Sequence, residues 1–272
     1  MMKFLKSLRL FQVLYIITLT VSAAILGGFL ENFSFNYFYT LLLKMFLLIS
    51  LWEFTVVVNN IFDENEDRAT GMDTPITLNL ISKKLYLRLG FLFLLISFFF
   101  GVLLKNFILI ILIFIAIVLN FLYSVPPFRF KKYGVKSFFI GIGSVIVFLI
   151  GYSGDYTTSI FHILILLFFS VSIGTIVADL KDFEGDKKYG IKTLFTVFGI
   201  EKGKKIASVF LFLSFLMPLY LFHSPLDIIL FLTLGIFSVF IFMKSEEYRP
   251  IIFFVALIFF YCALRLTGCV VF

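Results

Sequence analysis

Two groups of acidic residues follow apolar segments of the chain with a spacing that suits shared chemistry. The first group is Asn59, Asp63 and Asp67, which follow one another at intervals of four. The second group lies in DLKDFEGD at residues 179–186, with aspartates at its first, fourth and eighth positions. At about 100° per residue, each group falls within about 80° of one helix face. The sequence therefore predicts two polar helix stripes that can face one cavity.

Clustered carboxylates repel one another unless they are protonated or share a cation. Oxygen ligands without His or Cys select hard ions, and Mg²⁺ commonly completes its shell with substrate phosphate oxygens. Arg129, Lys131 and Lys132, together with Arg9, add cations that can bind a diphosphate. A single Asp-x₃-Asp spacing is more often a solvated loop, but two such groups beside apolar segments favour an aspartate–Mg²⁺–diphosphate site. The predicted metal ligands are Asn59, Asp63, Asp67, Asp179, Asp182 and Asp186.

The composition places these motifs in a membrane. Of the 272 residues, 61% are hydrophobic and only 14% are charged, whereas a soluble domain is roughly half apolar and about a quarter charged. A transmembrane helix needs about 20 mostly apolar residues. We therefore predict an all-α, polytopic membrane protein that forms a single domain over residues 1–272. Its nine predicted spans are 11–30, 38–59, 85–104, 107–124, 137–153, 160–178, 206–222, 226–243 and 250–270.

The distribution of basic residues orients the predicted bundle. Of the 23 Lys and Arg residues, 20 lie at the amino terminus or in the connections after the second, fourth, sixth and eighth spans. Such residues are retained on the cytoplasmic side of a membrane. We therefore expect a cell-membrane protein whose amino terminus and active-site loops are cytoplasmic and whose carboxyl terminus is outside. The net charge of +7 follows from the same rule, so a lipid bilayer and no nucleic acid is the expected partner.

Three segments of the chain resemble the signatures of UbiA-type membrane prenyltransferases. They are NNIFDENED at 59–67, YSVPPFRFK at 123–131, which is similar to that family's YSxPPxRxK stretch, and DLKDFEGD at 179–186. Either aspartate motif alone would be a weak signal, whereas the three in order are specific. The layout of nine spans and the side of the loops extend the resemblance over the full chain.

The resemblance implies a bundle of nine transmembrane helices with a cytoplasm-facing active-site cavity. It implies a prenyltransferase that moves an isoprenyl group from a polyprenyl diphosphate to a lipophilic, aromatic or alcohol acceptor, in quinone or ether-lipid biosynthesis. Two Mg²⁺ ions bridged by the substrate diphosphate would assist its release. The catalytic residues would be Asp63, Asp67, Asp182 and Asp186, with Asp179 beside them. The substrate-binding residues would be Asn59, Tyr123, Arg129, Lys131 and Arg9.

Two positions depart from the family pattern. Thr74 precedes Pro75 where many members have Arg, and Ala178 stands where many have Lys. Each change removes a cation near the phosphates or the acceptor. The acceptor therefore stays open at this point: a hydroxybenzoate, a naphthoate, a glycerol ether or another alcohol would fit.

Two other functions compete with this interpretation. A polytopic transporter with acidic cytoplasmic loops would place polar residues near the middle of the membrane on broken helices, whereas these acids cluster at one face. A phospholipid-headgroup transferase also uses aspartates and Mg²⁺, but the sequence contains no DxxDGxxAR-type run.

Three further charged residues fall within predicted spans, where charge is costly and often functional. Glu53 lies in one polar sector with Asn59 and Asn60, and we expect it to support the metal site. Arg265 is expected to extend its guanidinium to the outer interface. Lys44 has no role that the sequence assigns.

Overall fold

The computed structural model describes residues 10–245 and 249–269, and these ranges contain helices and no strand. The predicted all-α class is therefore confirmed. The α-helices, numbered in chain order, are α1 (Leu10–Leu26), α2 (Phe35–Phe62), α3 (Glu64–Thr70), α4 (Lys83–Leu103), α5 (Phe107–Ser124), α6 (Lys136–Gly151), α7 (Thr158–Ile176), α8 (Phe183–Lys188), α9 (Leu194–Phe198), α10 (Ile200–Leu216), α11 (Pro225–Ser245) and α12 (Arg249–Leu266). Three 3₁₀ turns are Phe130–Tyr133, Val177–Leu180 and Met217–Tyr220.

The long helices coincide with the nine apolar segments of the sequence. Six of them (α2, α4, α5, α7, α10 and α11) are long and apolar enough to cross a membrane, and α1, α6 and α12 are shorter apolar helices. Large rings cover the outside of the bundle; Phe35 and Phe107 are 81% and 75% exposed. A surface of this kind is suited to hydrocarbon and unsuited to water. The chain is an integral membrane protein.

The helices pack around two apolar cores that share α1 and α6. One core lies among α1, α6, α7, α10, α11 and α12, and the other lies among α1, α2, α4, α5 and α6. Helix α1 packs against α12, so the first and the last described helices meet and close the bundle. Small residues allow close approach: a Cβ at Gly90 of α4 would lie 2.7 Å from Cγ1 of Val57. This packing is typical of membrane helices.

Lys44 stabilises the end of the bundle opposite the acidic loops. Its Nζ donates to the carbonyl oxygens of Gly151 and Tyr152, both at 3.0 Å, and to Oγ of Ser153 at 2.6 Å. Carbonyl groups at a helix C-terminus lack partners within the helix and carry partial negative charge. Lys44 therefore has a structural role, which is to cap α6 from α2.

Arg265, which is expected to extend its guanidinium to the outer interface, is paired with an acidic side chain of α11. Its Nη2 lies 3.0 Å from Oδ2 of Asp227, a side chain with no exposed surface. Tyr261 donates a hydrogen bond to the same carboxylate. A buried carboxylate requires a partner of opposite charge, and Arg265 is that partner for Asp227.

The sequence predicts that each acidic stripe lies on one continuous helix. This prediction is wrong, because both helices are interrupted. Helix α2 ends at Phe62, and Asp63 adopts φ −100° and ψ 1° before α3 begins. In the second group, a 3₁₀ turn holds Asp179, and Asp182 precedes the short helix α8. The chain bends where the carboxylates are held by basic side chains from another element, as described below.

Candidate active site

The first acidic motif is clamped by the segment that follows α5. Nη2 of Arg129 lies 2.9 Å from Oδ1 of Asp63, and Lys131 donates to the same oxygen. Arg129 also donates to the carbonyl oxygen of Phe62 at 3.1 Å. Asp63 and Lys131 are 6% and 7% exposed, so this pairing takes place largely out of water. Arg129 and Lys131, which are predicted diphosphate contacts, lie beside the first motif and are paired with Asp63.

Glu66 extends this clamp, although the sequence did not single it out. Its Oε2 lies 3.0 Å from Nη2 of Arg129 and 3.5 Å from Nζ of Lys131, and its Oε1 lies 3.8 Å from Nζ of Lys132. The three cations of the segment therefore meet two carboxylates of the first loop. The signal was present in the sequence as an extra acid one turn from Asp63, but only the interval of four was used.

The second acidic motif is held by Lys136, which the sequence counted only as a loop cation. Nζ of Lys136 lies 2.8 Å from Oδ1 of Asp179 and 3.5 Å from Oδ2 of Asp182. Lys136 begins α6, and α6 packs along α7, which leads into Asp179. The packing of these two helices therefore places a cation between two carboxylates.

The two motifs meet at one end of the bundle. Asp186 interacts electrostatically with both Lys131 and Lys136, so it faces the cations of each motif. The short helices α3 and α8 pack together, and the hydroxyl of Tyr189 donates to the carbonyl oxygen of Asn65 at 3.2 Å. The convergence expected from the sequence is present.

Helix α5 contributes to the site between the two motifs. Oγ of Ser124 donates to Oδ1 of Asn59 at 3.2 Å. The ring of Tyr123 lies 5.8 Å from that of Phe139, and Tyr123 interacts electrostatically with Lys136. Two adjacent residues of α5 therefore interact with different parts of the site: Ser124 with the first motif, and Tyr123 with the lysine that holds the second motif.

The first acidic loop ends in a turn closed by two threonines. Oγ1 of Thr77 donates to the carbonyl oxygen of Met72 at 2.6 Å and accepts the backbone N–H of Thr74 at 2.8 Å. The backbone N–H of Thr77 donates to Oγ1 of Thr74 at 3.2 Å. These bonds satisfy donors at the start of a turn that would otherwise face an apolar interior.

The second acidic loop ends in the same turn. Oγ1 of Thr196 donates to the carbonyl oxygen of Ile191 at 2.9 Å and accepts the N–H of Thr193 at 2.8 Å, and the N–H of Thr196 donates to Oγ1 of Thr193 at 3.2 Å. Gly71 and Gly190 have φ of 70° and 68°. Five residues of the first loop recur 119 positions later: Asp63, Asp67, Gly71, Thr74 and Thr77 correspond to Asp182, Asp186, Gly190, Thr193 and Thr196. The two loops are therefore an internal repeat, in sequence and in the geometry of the turn that ends each of them.

The oxygen ligands of the site suit Mg²⁺. Within the described ranges, no three Asp, Glu, His or Cys side chains are arranged to hold a metal ion together, since Arg129, Lys131 and Lys136 occupy the space among the carboxylates. Oδ2 of Asp186, however, is buried and accepts no hydrogen bond from the described residues. Burial raises the pKa of Asp186 from 3.8 to about 7, although Lys136 opposes the shift. A buried carboxylate oxygen without a donor is suited to a hard cation, so the residues fit the ion.

The remaining predicted residues are placed as follows. Asp67 is half-buried in α3, and its backbone N–H donates to the carbonyl oxygen of Asp63 at 2.8 Å. Nδ2 of Asn60 donates to the hydroxyl of Tyr86 in α4 at 3.0 Å. Glu53 is half-buried in α2, about two helical turns before the end of that helix near Ile61. Arg9 lies outside the described residues.

An apolar groove opens beside the basic segment. Its volume is about 580 Å³. The lining residues are Phe130, Tyr133, Val135, Phe138, Phe139 and Ile142. Phe130, which lines the groove, lies between Arg129 and Lys131 in the sequence. The two cations that could bind a diphosphate are therefore adjacent to an apolar surface.

Comparison with known proteins supports what the geometry indicates. A sequence model of the UbiA prenyltransferase family matches residues 16–261. The chain is 38% identical over 92 residues to a probable homogentisate phytyltransferase 2 of Oryza sativa subsp. japonica, a match that covers 29% of this chain and 24% of that protein. The chain therefore matches about a quarter of the length of this curated relative.

Solved structures share the fold. A UbiA homologue from Archaeoglobus fulgidus bound to DMAPP and Mg²⁺ superposes with a TM-score of 0.69 and 20% identity, covering 97% of this chain and 100% of the other. Its complex with GPP and Mg²⁺ has a TM-score of 0.71 and 20% identity, covering 98% and 99%. A structure described as digeranylgeranylglyceryl phosphate synthase has a TM-score of 0.65 and 24% identity, covering 97% and 100%. Since the family match spans most of the sequence, the chain belongs to the UbiA prenyltransferase family and, with it, to the transferases.

Proposed function

We propose that this protein transfers an isoprenyl group from an isoprenyl diphosphate to an aromatic or alcohol acceptor. The observation that carries the proposal is the meeting of both acidic motifs with Arg129, Lys131 and Lys136 at one end of an apolar bundle. A diphosphate requires metal ligands and cations together, and its isoprenyl tail requires apolar surroundings. The structures of homologues with DMAPP or GPP and Mg²⁺ support this class of donor.

In this proposal the metal is Mg²⁺, and the site would hold two ions. When bound, Mg²⁺ supplies positive charge that makes the diphosphate a better leaving group. The side chains that would hold it are Asn59, Asp63, Asp67, Asp179, Asp182 and Asp186.

Arg129 and Lys131 would bind the departing diphosphate, and Arg9 would add a third cation. Arg129 and Lys131 contact Asp63 in the described structure, so substrate binding exchanges a carboxylate for phosphate oxygens. When the allylic C–O bond breaks, its electron pair stays on the diphosphate, and cations that are already in place stabilise that charge. The acceptor then bonds to the allylic carbon and releases a proton to water. Tyr123 would line the site near the leaving group.

We also propose that all nine apolar helices span the membrane, with the acidic loops and the amino terminus on the cytoplasmic side. Both acidic loops lie at the same end of the bundle, as the contact between α3 and α8 requires. The concentration of Lys and Arg in the connections at that end supports a cytoplasmic position. The acids are grouped at this end, as an enzyme that meets a membrane lipid requires and a transporter does not.

The relatives do not agree on an acceptor. One is named for the aromatic acceptor homogentisate, and the other is named for its product, digeranylgeranylglyceryl phosphate, which is a glycerol ether lipid. The proposal is therefore kept at an aromatic or alcohol acceptor.

The test uses the full chain in detergent with labelled geranylgeranyl diphosphate, Mg²⁺ and a membrane-lipid extract. We expect Mg²⁺-dependent release of diphosphate and a labelled lipophilic product, and both should vanish in excess EDTA. The substitution Asp63→Asn should lower turnover about 100-fold or more, whereas Asp73→Asn, at an exposed aspartate of the same loop, should change it little. Full turnover in EDTA, or equal effects of the two substitutions, would contradict the proposal.

A further inference from the structure

Two side chains below the acidic cluster, the buried Asn120 and the partly buried Trp52, have inaccessible polar atoms that no described residue pairs. Asn120 of α5 is 5% exposed. Neither its Nδ2 nor its Oδ1 forms a hydrogen bond with any described residue, and the same is true of Nε1 of Trp52 in α2. Buried polar groups are nearly always hydrogen-bonded, because leaving them unpaired costs free energy. These three atoms are therefore suited to a ligand, because the described residues supply no partner for them.

Asn120 lies on the face of α5 that reaches both acidic motifs. Ser124, one turn later, donates to Asn59 of the first motif. Tyr123 interacts with Lys136, which holds the second motif. At about 100° per residue, Asn120 falls between Tyr123 and Ser124 around the helix axis, and it lies about 6 Å deeper than Ser124 along that axis. Its amide is therefore beneath the place where the diphosphate would bind.

Trp52 lies on the corresponding face of α2. It precedes Asn59 by seven residues, which places the two within about 20° around the axis and about 10 Å apart along it. Helices α2 and α5 pack together, and Trp52 packs on the same apolar core as Leu119, the neighbour of Asn120. Both polar groups thus lie deeper in the bundle than the charged cluster.

The chemistry of these atoms selects one kind of ligand. An amide offers a donor and an acceptor side by side, which is complementary to a hydroxyl group, since a hydroxyl donates one hydrogen bond and accepts another. The core around Trp52 and Leu119 is apolar, so burying a charged group such as a carboxylate there would be costly.

We propose that Asn120 binds a neutral hydroxyl group of the prenyl acceptor, and that the N–H of Trp52 donates to a second oxygen of the same molecule. This inference rests on the proposed prenyl transfer and specifies its acceptor: a phenol or an alcohol whose reacting end is uncharged. Asn120 then determines acceptor specificity, while the donor is bound by the charged cluster above it.

Trp52 allows binding to be measured directly, because it is the single tryptophan of the chain. Its fluorescence is followed while the full protein is titrated with two matched pairs of probes. The aromatic pair is 1,4-dihydroxynaphthalene and its dimethyl ether, and the alcohol pair is 1-O-octadecylglycerol and its dimethyl ether. Wild-type protein should bind the hydroxyl member of at least one pair about tenfold more tightly than the ether, as expected for one lost hydrogen bond.

The variant Asn120→Leu should lose this preference, because it removes both hydrogen-bonding atoms. Phe121→Leu, at a neighbouring side chain that is 46% exposed, is the matched control and should keep the preference. Equal preference in Asn120→Leu and wild type would show that these atoms hold at most a buried water, and would overturn the inference. A wild-type protein that prefers the hydroxyl member of neither pair would overturn it as well.

Mg²⁺-dependent binding of labelled geranyl diphosphate is measured in parallel by equilibrium dialysis to separate the two proposals. Asn120→Leu should retain this binding, because the donor is bound by the charged cluster, and retained binding also shows that the variant is folded. Absence of donor binding in wild-type protein would contradict the proposed function, whereas normal donor binding with unchanged hydroxyl preference would contradict only the role of Asn120.

Discussion

Nζ of Lys136 lies 2.8 Å from Oδ1 of Asp179 and 3.5 Å from Oδ2 of Asp182. One lysine at the start of α6 therefore joins two carboxylates that are separated by part of a 3₁₀ turn. Residue 178, immediately before Asp179, is an alanine, so the second motif has no cation of its own at that position. Lys136 brings the positive charge from another helix.

Replacing Lys136 with Met should weaken donor binding. Removal of one positive charge leaves the site more negative, which disfavours the diphosphate and favours Mg²⁺. We expect the KM for geranyl diphosphate to rise about 10-fold or more, the scale of one charge-assisted hydrogen bond, and Mg²⁺ affinity to stay equal or increase. Lys136→Arg should restore part of the donor affinity. Lys84→Met, at an exposed lysine of α4, is the control and should leave the KM unchanged. An unchanged KM in Lys136→Met would refute the role.

Substitution of Arg129 should affect kcat as well as KM. Arg can offer two N–H groups to two phosphate oxygens, whereas Lys acts as a point charge. Arg129→Lys should therefore keep part of the activity, and Arg129→Gln should keep much less. If Arg129 only tied its segment to Asp63 and Phe62, a folded Arg129→Gln protein would show normal values of both constants.

The pKa of Asp186 predicts how Mg²⁺ affinity depends on pH. Burial raises this pKa from 3.8 to about 7, so below pH 7 a proton must leave before the carboxylate can bind the ion. The affinity of the donor-free protein should rise by up to about tenfold per pH unit toward pH 7 and level off above it. Calorimetric titration with Mg²⁺ should detect proton release at pH 6 and none at pH 8. Equal affinity and no proton release at both values would contradict this assignment.

The raised pKa of Asp186 also makes the free energy of unfolding depend on pH. The folded protein holds this proton more tightly than the unfolded chain, so the Mg²⁺-free protein should lose stability as the pH rises from about 4 to 7. Bound Mg²⁺ should remove that loss, because it stabilises the ionised carboxylate.

The family, the all-α class and the meeting of the two acidic motifs could be predicted from the sequence. They depend on local properties: apolar segments of span length, and motifs in a fixed order. The role of Lys136 could not be predicted from the sequence, because its contact with Asp179 depends on how α6 packs on α7. The bend at Asp63 was missed for a related reason. An interval of four is typical of a continuous helix, and the sequence does not show that basic residues of another segment bind Asp63.

Buried charges in the helices show the same limit. Sequence placed Arg265 near an interface but could not show that Asp227 would be its partner, since the pair joins α11 to α12. Lys44 had no assignable role because its acceptors are backbone carbonyls of α6, and a carbonyl has no signature in a sequence.

Cysteine labelling can test the proposed topology with a residue that the chain already has. Cys269 is exposed after α12, whereas Cys262 is buried. A membrane-impermeant maleimide should label Cys269 in intact cells, and Cys269→Ser should abolish the signal. In that background, Lys187→Cys, at an exposed site of α8, should be labelled only after the membrane is permeabilised. Labelling of Lys187→Cys in intact cells would refute a cytoplasmic active site.

The repeated threonine turns predict equal effects of two distant substitutions. Thr77 and Thr196 make the same three hydrogen bonds, with lengths that agree within 0.3 Å (2.6 against 2.9 Å for the longest difference). Replacement by Val keeps the shape and removes the hydroxyl that closes each turn. Thr77→Val and Thr196→Val should each lower the free energy of unfolding by about 1 kcal/mol, the usual cost of a lost cap.

Activity distinguishes this effect from a general loss of stability. Each turn follows one aspartate motif, so loosening either turn should weaken Mg²⁺ binding, and the two variants should raise the Mg²⁺ concentration needed for half-maximal diphosphate release to a similar extent. Thr77→Ser and Thr196→Ser keep the hydroxyl and are the matched controls. If Thr196→Val had the expected effect while Thr77→Val behaved as wild type, the two turns would be alike in geometry but only the second would position metal ligands.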